Sequence, residues 1–113
     1  MVAELLKHLT PSHTKCQVLW CSPTDLHKYR LVRCGALREQ DRSSCMSVAA
    51  LAPEVGWTVA DACAAPGNKT TQAASYVGET GAVLACERDP RRFEILQVHA
   101  ALSCSFTSPM RVV

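Results

Sequence analysis

Several common features are missing from this 113-residue sequence. No apolar run reaches about 18 residues, and no charged region followed by an apolar core begins the chain, so we expect neither a membrane span nor a signal peptide. Twelve basic and ten acidic residues leave a net charge of only +2, which does not by itself indicate nucleic-acid binding. Repeats and low-complexity tracts are also absent. The length allows one domain at most, or part of one.

Cysteine is abundant, with seven in the chain, but its spacing fits no metal site. The number is odd, and no C-x-x-C pair or Cys/His pair has zinc-finger spacing, so we expect no metal. Cys63 and Cys86 lie in apolar runs, where a free cysteine behaves as a small hydrophobic residue. We therefore expect reduced, buried thiols with structural roles in an intracellular protein.

The rest of the chain is organised around one stretch, residues 61–70 (DACAAPGNKT). Residues 57–62 are predicted to form a short buried strand, and residues 70–77 a helix. Between them the residues are small, so a ligand can approach the backbone, and Gly67 can adopt a positive φ. Free N–H groups point outward at the start of a helix. A strand, a small-residue turn and a helix N-terminus thus predict a site for a nucleotide-like or carboxylate-bearing ligand.

A second strand and helix are predicted downstream of this loop. Residues 82–86 are an uninterrupted apolar run, which suits a strand covered on both faces, as in a parallel sheet. Asp89 and Pro90 supply a helix N-cap and a first helical residue. The wide apolar side of that helix comprises Phe93, Leu96 and Ala100, beside Ile95, Val98 and Leu102. The sequence therefore predicts a β-α-β-α unit with a right-handed crossover.

Glu87 follows the second predicted strand, about 20 residues past the loop. An acidic residue at that place can accept hydrogen bonds from ribose hydroxyls. The alternative is a solvent-exposed charge at the end of a strand.

Upstream of the loop, the apolar patterns that predict helices and strands are shorter. Apolar residues fall on one helical face over residues 2–9, and Pro11 closes that helix. Residues 17–21 could form a strand, and residues 31–34 are another strand candidate, ended by Gly35.

A further helix is predicted over residues 43–52, immediately before the first strand. Ser43 can cap it and Pro53 stops it. Because it is apolar nearly all round, we expect it to be buried.

Basic residues are concentrated between positions 27 and 42. They could contact RNA phosphates, since Lys and Arg supply the salt-dependent part of RNA affinity, or they could form an ordinary solvated surface. The basic residues are Lys28, Arg30, Arg33, Arg38 and Arg42, with His27, Tyr29, Glu39 and Asp41 among them.

Two other nucleotide-binding loops can be compared with residues 61–70. A P-loop needs G-x-x-x-x-G-K-[ST], but Asn68 stands where the second Gly belongs and Ala62 in place of the first. A dinucleotide loop needs G-x-G-x-x-G, and only Gly67 is present. The first interpretation fails and the second is weak.

Residues 61–70 resemble motif I of the RsmB-like and Nop/Sun RNA (cytosine-5) methyltransferases, whose form is roughly D-x-C-A-A-P-G-[GN]-K-T. Residues 40–44 (QDRSS) resemble the Q-D-x-[AS]-S segment of the same family. Asn68 is most similar to the eukaryotic branch that methylates large-subunit ribosomal RNA. The resemblance is clear over residues 38–104.

This resemblance implies an α/β fold, a partial class I (Rossmann-like) domain that uses S-adenosylmethionine as its cofactor. Residues 38–113 would be the truncated N-terminal part of that domain. Residues 1–37 would be a short helical or mixed N-terminal extension that could contact RNA. The implied partner is RNA, in particular rRNA, with no membrane and no metal. The eukaryotic branch would place the protein in the nucleus or nucleolus.

The resemblance also implies the site residues. The loop would cradle the methionine moiety, with Lys69 and the helix N-terminus facing its carboxylate. Glu87 would hold the ribose, and Arg92 would brace Glu87 or contact the cofactor, with Arg91 as the alternative partner. The cofactor-binding residues carried over are Cys63, Ala64, Ala65, Pro66, Gly67, Asn68, Lys69, Glu87 and Arg92.

Members of this family attack C6 of cytosine with a cysteine thiolate, and a second cysteine helps to release the product. Those cysteines lie on later P-C and T-C motifs, to which neither Cys63 nor Cys104 corresponds. We therefore expect no catalytic residue here and an inactive chain on its own. Two functions stay open: an RNA (cytosine-5) methyltransferase present as a fragment, or a non-catalytic module that binds S-adenosylmethionine or RNA.

Overall fold

A computed structural model describes residues 26–104 and 110–113. The predicted helix over residues 2–9 and the possible strand over 17–21 lie outside the described residues. The elements in chain order are α1 (Arg30–Arg33), α2 (Arg42–Leu51), β1 (Thr58–Asp61), α3 (Asn68–Val77), β2 (Ala82–Ala85), α4 (Pro90–Cys104) and β3 (Met110–Val112).

The strands form one three-stranded sheet in the order β1-β2-β3, with both pairs parallel. Thr58 is opposite Ala82 in the first pair, and Val83 is opposite Met110 in the second. The β-α-β-α prediction for residues 57–102 is confirmed, with adjacent parallel strands and helices α3 and α4 between and after them. Strand β3 was not predicted, because three residues carry too little periodicity to mark a strand.

Helix α3 lies at the centre of the packing. Its apolar residues contact both α2 and the sheet, and small side chains such as Ala73 and Ala74 allow the helix to pack closely. The buried side chains form two clusters, one with Val48, Ala73, Ala74, Val77 and Val83, and one with Ala64, Ala65, Ala85 and Leu96. The second cluster lies under the loop between β1 and α3, so the core supports that loop directly.

The strand predicted at residues 31–34 is wrong, since this segment is the short helix α1. The N–H groups of Val32 and Arg33 both bond the carbonyl of Tyr29, at 3.1 Å each, and Cys34 bonds Arg30 at 2.9 Å. These local hydrogen bonds curl the chain before Gly35, whose φ is +80°. Four residues with two apolar side chains carry no period that distinguishes strand from helix.

Helix α2 confirms the predicted helix at residues 43–52, but two details differ. Asp41 is its cap, because the Asp41 carboxylate accepts the N–H of Ser43 at 2.8 Å, whereas Ser43 had been expected to cap. The expected burial is also wrong: Val48 is the buried residue of this helix, and Met46 is 59% exposed. Composition alone overstated how much of the helix faces the core.

The sheet is less covered than predicted. Along β1, which was expected to be buried, Thr58 and Ala60 are exposed while Val59 and Asp61 are half-buried. The physical reason is that β1 lies at an edge of the described sheet and pairs there with β2. Strand β2 was expected to be covered on both faces, but Leu84 is 37% exposed.

Helix α4 has a narrower packed face than its composition indicated. Leu96 and Ala100 are buried and Phe93 is half-buried, whereas Ile95 and Val98 are about half exposed, at 49% and 58%. The apolar residues therefore extend beyond the face that the described sheet covers. None of the helices in the described ranges is long and apolar enough to cross a membrane.

Candidate cofactor site

The loop between β1 and α3 is held at both ends by Asp61. The Thr70 hydroxyl lies 2.7 Å from Asp61 Oδ2 and 3.3 Å from the Ala64 carbonyl oxygen. Since a hydroxyl has one proton, the shorter contact to the carboxylate is the stronger bond. The other carboxylate oxygen accepts the N–H of Cys63 at 3.3 Å. The last residue of the strand thus closes the turn onto the first turn of the helix.

Backbone hydrogen bonds join the same loop to the neighbouring strand. The Cys86 N–H donates to the Asp61 carbonyl at 2.8 Å, and the Ala64 N–H donates to the Cys86 carbonyl at 3.0 Å. Ala64 and Ala65 are buried, at 4% and 7% exposure. The loop is therefore pinned over the carboxyl ends of both β1 and β2, which is where ligands bind in open parallel sheets.

Gly67 is required by the geometry of this turn. Its φ is +109°, which L side chains rarely adopt, and a Cβ at this position would lie 3.1 Å from Leu96 Cδ1. Helix α3 begins at Asn68, two residues earlier than predicted, with Gly67 as an N-cap that makes no side-chain bond. The first N–H groups of the helix consequently point outward with no side-chain acceptor from that cap.

A small open hollow of about 80 Å³ lies over this helix start. Of the predicted loop residues, Gly67 lies buried beneath the hollow, against Leu96 and His99. Cys63 is exposed and Cys34, Cys45 and Cys86 are half-buried, so the expectation of buried thiols is wrong for these four cysteines. At Cys63 the physical reason is that the loop turns away from the core. The lining residues are Ser44, Cys63, Ala64, Ala65, Pro66, Asn68 and Lys69.

Glu87 follows β2 and turns back toward the loop. Its side chain is only 5% exposed, so the alternative of a solvent-exposed charge does not describe it. Oε1 accepts the Asp89 N–H at 3.0 Å, and Oε2 lies 3.4 Å from Arg92 Nη2 without an aligned hydrogen bond. The Asp89 N–H is the main cause that lowers the pKa of Glu87, and the Arg92 charge adds to it against the opposing effect of desolvation. Glu87 is therefore held as a carboxylate.

Arg92 connects this carboxylate to the loop. Its Nη2 donates to the Ala65 carbonyl at 2.8 Å and lies 3.4 Å from Glu87 Oε2. The Asp89 carboxylate accepts the N–H groups of Arg91 and Arg92 at 2.9 and 3.1 Å, so Asp89 caps α4 as predicted. Of the two arginines that the sequence left open, Arg92 is the one that contacts Glu87.

A second support lies behind the loop and was not found from sequence. Arg38 donates to the His99 carbonyl at 3.0 Å, and the His99 side chain packs against the Gly67 position. Burial is the main cause that lowers the pKa of His99, the Arg38 charge adds to it, and a hydrogen bond to the Pro66 carbonyl opposes it. Arg38 was grouped with the surface basic residues, and no pattern marked His99. A contact between residues 61 positions apart produces no pattern in the local sequence.

A chain of side-chain amides ties residues 40–45 to α3. Gln40 Nε2 lies 3.1 Å from Gln72 Oε1 and 3.3 Å from Ser44 Oγ, and Gln72 Nε2 lies 3.3 Å from the Cys45 carbonyl oxygen. Gln72 is 6% exposed. Hydrogen bonds thus connect the Q-D-x-[AS]-S segment to helix α3, which follows the loop.

Four of the five basic residues between positions 27 and 42 divide into two groups, and the fifth, Arg42, begins helix α2. Lys28, Arg30 and Arg33 surround an open hollow of about 500 Å³ together with Cys34. Arg38 instead faces the interior at His99. In the described ranges no group of three or more His, Cys, Asp or Glu residues could hold a metal ion, and Cys34, Cys63 and Cys86 are free thiols.

Comparison with known proteins decides the family. Residues 48–106 match the family model described as 16S rRNA methyltransferase RsmB/F. The chain belongs to this family. The predicted fold class, a partial Rossmann-like methyltransferase domain, and the predicted eukaryotic rRNA branch are confirmed.

The curated relatives support that branch. Over 105 residues the chain is 42% identical to the 25S rRNA (cytosine-C(5))-methyltransferase NSUN5 of Arabidopsis thaliana, covering 90% of this chain and 18% of that protein. It is 42% identical over 84 residues to a 28S rRNA (cytosine-C(5))-methyltransferase of Mus musculus, covering 72% of this chain and 18% of that protein. The crystal structure of PH0851 matches with a TM-score of 0.67 and 26% identity, covering 80% of this chain and 20% of that one. The chain spans about a fifth of the length of these relatives.

Proposed function

We propose that this chain supplies the S-adenosylmethionine site of an rRNA (cytosine-5) methyltransferase. The observation that carries the proposal is the meeting of the loop and Glu87 at the carboxyl ends of β1 and β2. A hollow lies there over the start of α3, whose N–H groups receive no side-chain bond from the Gly67 cap, and Arg92 joins the loop to the Glu87 carboxylate, which does not line the hollow itself. The names of the relatives, which are rRNA (cytosine-C(5))-methyltransferases, support the same cofactor and substrate.

In this proposal the two ends of the cofactor meet different groups. Its carboxylate is held by the N–H groups at the start of α3 and by Lys69, because a helix N-terminus and a cation both favour negative charge. Its ribose hydroxyls donate to the Glu87 carboxylate at the end of β2. Arg92 keeps Glu87 and Ala65 at a fixed separation. The remaining loop residues, including Cys63, Pro66 and Asn68, form the walls of the hollow in which the cofactor lies.

RNA is the proposed methyl acceptor. Lys28, Arg30 and Arg33 support this role, because they surround one open hollow and Arg30 and Arg33 are exposed. We propose that residues 1–37 belong to an RNA-contacting extension and residues 38–113 to the methyltransferase domain. The rRNA substrate favours the nucleus or nucleolus as the compartment. No Pro-Cys or Thr-Cys pair occurs in the 113 residues, so cytosine attack is not assigned to any residue of this chain.

Calorimetric titration with S-adenosylmethionine tests the cofactor. We expect binding by the wild type and about ten- to a hundred-fold weaker binding by Glu87→Ala, the range for loss of hydrogen bonds to a charged acceptor. The matched control is Glu94→Ala, which removes an exposed carboxylate of α4 and should leave the affinity unchanged. Equal affinity in Glu87→Ala and the wild type would remove Glu87 from the site.

RNA contact is tested separately, by the salt dependence of binding to an rRNA fragment. The double variant Arg30→Gln/Arg33→Gln should bind more weakly and with a shallower slope against salt, since each lost phosphate contact lowers that slope. Arg88→Gln/Arg91→Gln, which removes the same charge from two other exposed positions, is the control. Equal losses in the two double variants would indicate a net-charge effect and contradict a local RNA surface.

A further inference from the structure

Ser44, on helix α2, lines the same hollow as the loop residues. The side chain is half-buried, and in the described ranges the partner of its oxygen is the Gln40 amide nitrogen at 3.3 Å. The neighbouring residues Ser43 and Ser47 are exposed. Ser44 is therefore the serine of this helix that can meet a ligand over the loop.

The amide chain behind Ser44 determines which way its proton points. The Cys45 carbonyl can only accept, so the group of Gln72 that faces it at 3.3 Å is the amide nitrogen. Gln72 consequently presents its oxygen to Gln40, at 3.1 Å, and Gln40 must present its own nitrogen. That nitrogen also donates to Ser44 Oγ, so the Ser44 oxygen acts there as an acceptor.

The Ser44 proton is thus available to a ligand in the hollow. Other donors at the hollow are the first N–H groups of α3 and the Lys69 side chain. Three kinds of donor around one hollow match an anion with several acceptor oxygens, and a carboxylate is such a group.

We propose that Ser44 is a further cofactor-binding residue, which donates a hydrogen bond to the carboxylate of S-adenosylmethionine. The inference rests on the proposed function and deepens it. Gln40 and Gln72 are positioning residues, because they act on the ligand only through the Ser44 hydroxyl. Because Gln72 is buried, the orientation of the hydrogen bonds from Gln72 through Gln40 to Ser44 is fixed before the ligand arrives. Binding therefore requires little further ordering of these side chains.

Two ligands separate this role from a structural one. S-adenosylhomocysteine has the amino-acid carboxylate, whereas methylthioadenosine has the same nucleoside without it. In the full chain, Ser44→Ala should weaken the binding of S-adenosylhomocysteine about tenfold and leave the affinity for methylthioadenosine unchanged. Ser47→Ala is the matched control and should change neither, and Ser44→Thr, which keeps the hydroxyl, should retain most of the affinity. Thermal unfolding of each variant verifies that it is folded.

Each contrary result has a distinct meaning. Wild-type affinity of Ser44→Ala for S-adenosylhomocysteine would overturn the role of Ser44 and leave the cofactor site in place. Equal losses for both ligands would show that Ser44 only supports the loop, and would also overturn the proposal. A wild type that binds neither ligand would overturn the proposed function, and this inference with it.

Discussion

The Thr70 hydroxyl, in the first turn of α3, lies 2.7 Å from the Asp61 carboxylate at the end of β1. Thr70 is completely buried and Asp61 is half-buried, so this bond is partly shielded from water. It closes the loop between the two elements and places the start of the helix over the sheet edge. The geometry of the proposed cofactor site depends on this closure.

Replacing Thr70 with Val therefore tests the closure. The change keeps the shape of the side chain but leaves Asp61 Oδ2 without its partner, which should lower the free energy of unfolding by about 1–3 kcal/mol. Binding of S-adenosylmethionine should weaken as well. Thr71→Val is the matched control, because within the part of the chain that the structure describes the Thr71 hydroxyl bonds the nearby Asn68 carbonyl, at 3.0 Å. Similar affinity losses in both variants would contradict a special role of the Asp61–Thr70 bond.

The two adjacent arginines of α4 should behave differently. Arg92→Ala removes the 2.8 Å bond to the Ala65 carbonyl and the contact with Glu87. It should therefore weaken the binding of S-adenosylmethionine about tenfold. Arg92 is half exposed, so we expect only a small change in stability. Arg91→Ala should bind like the wild type, since Arg91 bonds Asp89 through its backbone N–H, which the substitution keeps. A larger effect at Arg91 in calorimetric titration would reverse the assignment.

Acid unfolding should reveal the Glu87 carboxylate. Its pKa is lowered by the Asp89 N–H and the Arg92 charge, so the folded state binds this proton less readily than the unfolded state. The resulting stability is present above the ordinary glutamate pKa and is lost as the pH falls through the lower folded pKa. In Glu87→Gln this part of the acid-side loss should disappear from urea unfolding curves, whereas Glu94→Gln retains it. An unaltered curve for Glu87→Gln would contradict the shift.

His99 should produce a second loss at milder acidity. Burial and the Arg38 charge lower its pKa, while the Pro66 carbonyl acts in the opposite direction. Below the ordinary histidine pKa, about 6.5, the unfolded state takes up a proton that the folded state does not, so stability falls with pH until the folded pKa is passed. His99→Gln should remove this slope, and His27→Gln should keep it. Persistence of the slope in His99→Gln would contradict the assignment.

The sequence was informative where structure is local. Residues 57–102 have strong apolar runs, caps and a recognisable loop, and their β-α-β-α order was predicted from those signals. Strand β3 and helix α1 were missed because three or four residues carry no usable period. The exposure of β1 could not be predicted from composition, since it depends on how many strands pair beside it.

The contacts around the candidate site could be predicted only in part. Loop residues and Glu87 follow from a contiguous motif and a fixed spacing. Ser44 and Gln72 come together only when α2 packs on α3, and Arg38 meets His99 across 61 positions. The choice between Arg91 and Arg92 likewise needed the orientation of α4. Such contacts are set by packing, which periodicity does not specify.

The most direct test of the central claim is to map where the cofactor binds, using amide chemical shifts of the 15N-labelled chain titrated with S-adenosylhomocysteine. We expect the largest saturable shifts at residues 63–71 and 87–89, with little change in helix α1. Methylthioadenosine at the same concentrations, which has the same nucleoside without the amino-acid part, is the control and should not reproduce the shifts of residues 68–71. Saturable shifts that leave residues 63–71 and 87–89 unchanged would contradict the assignment of this loop as the S-adenosylmethionine site.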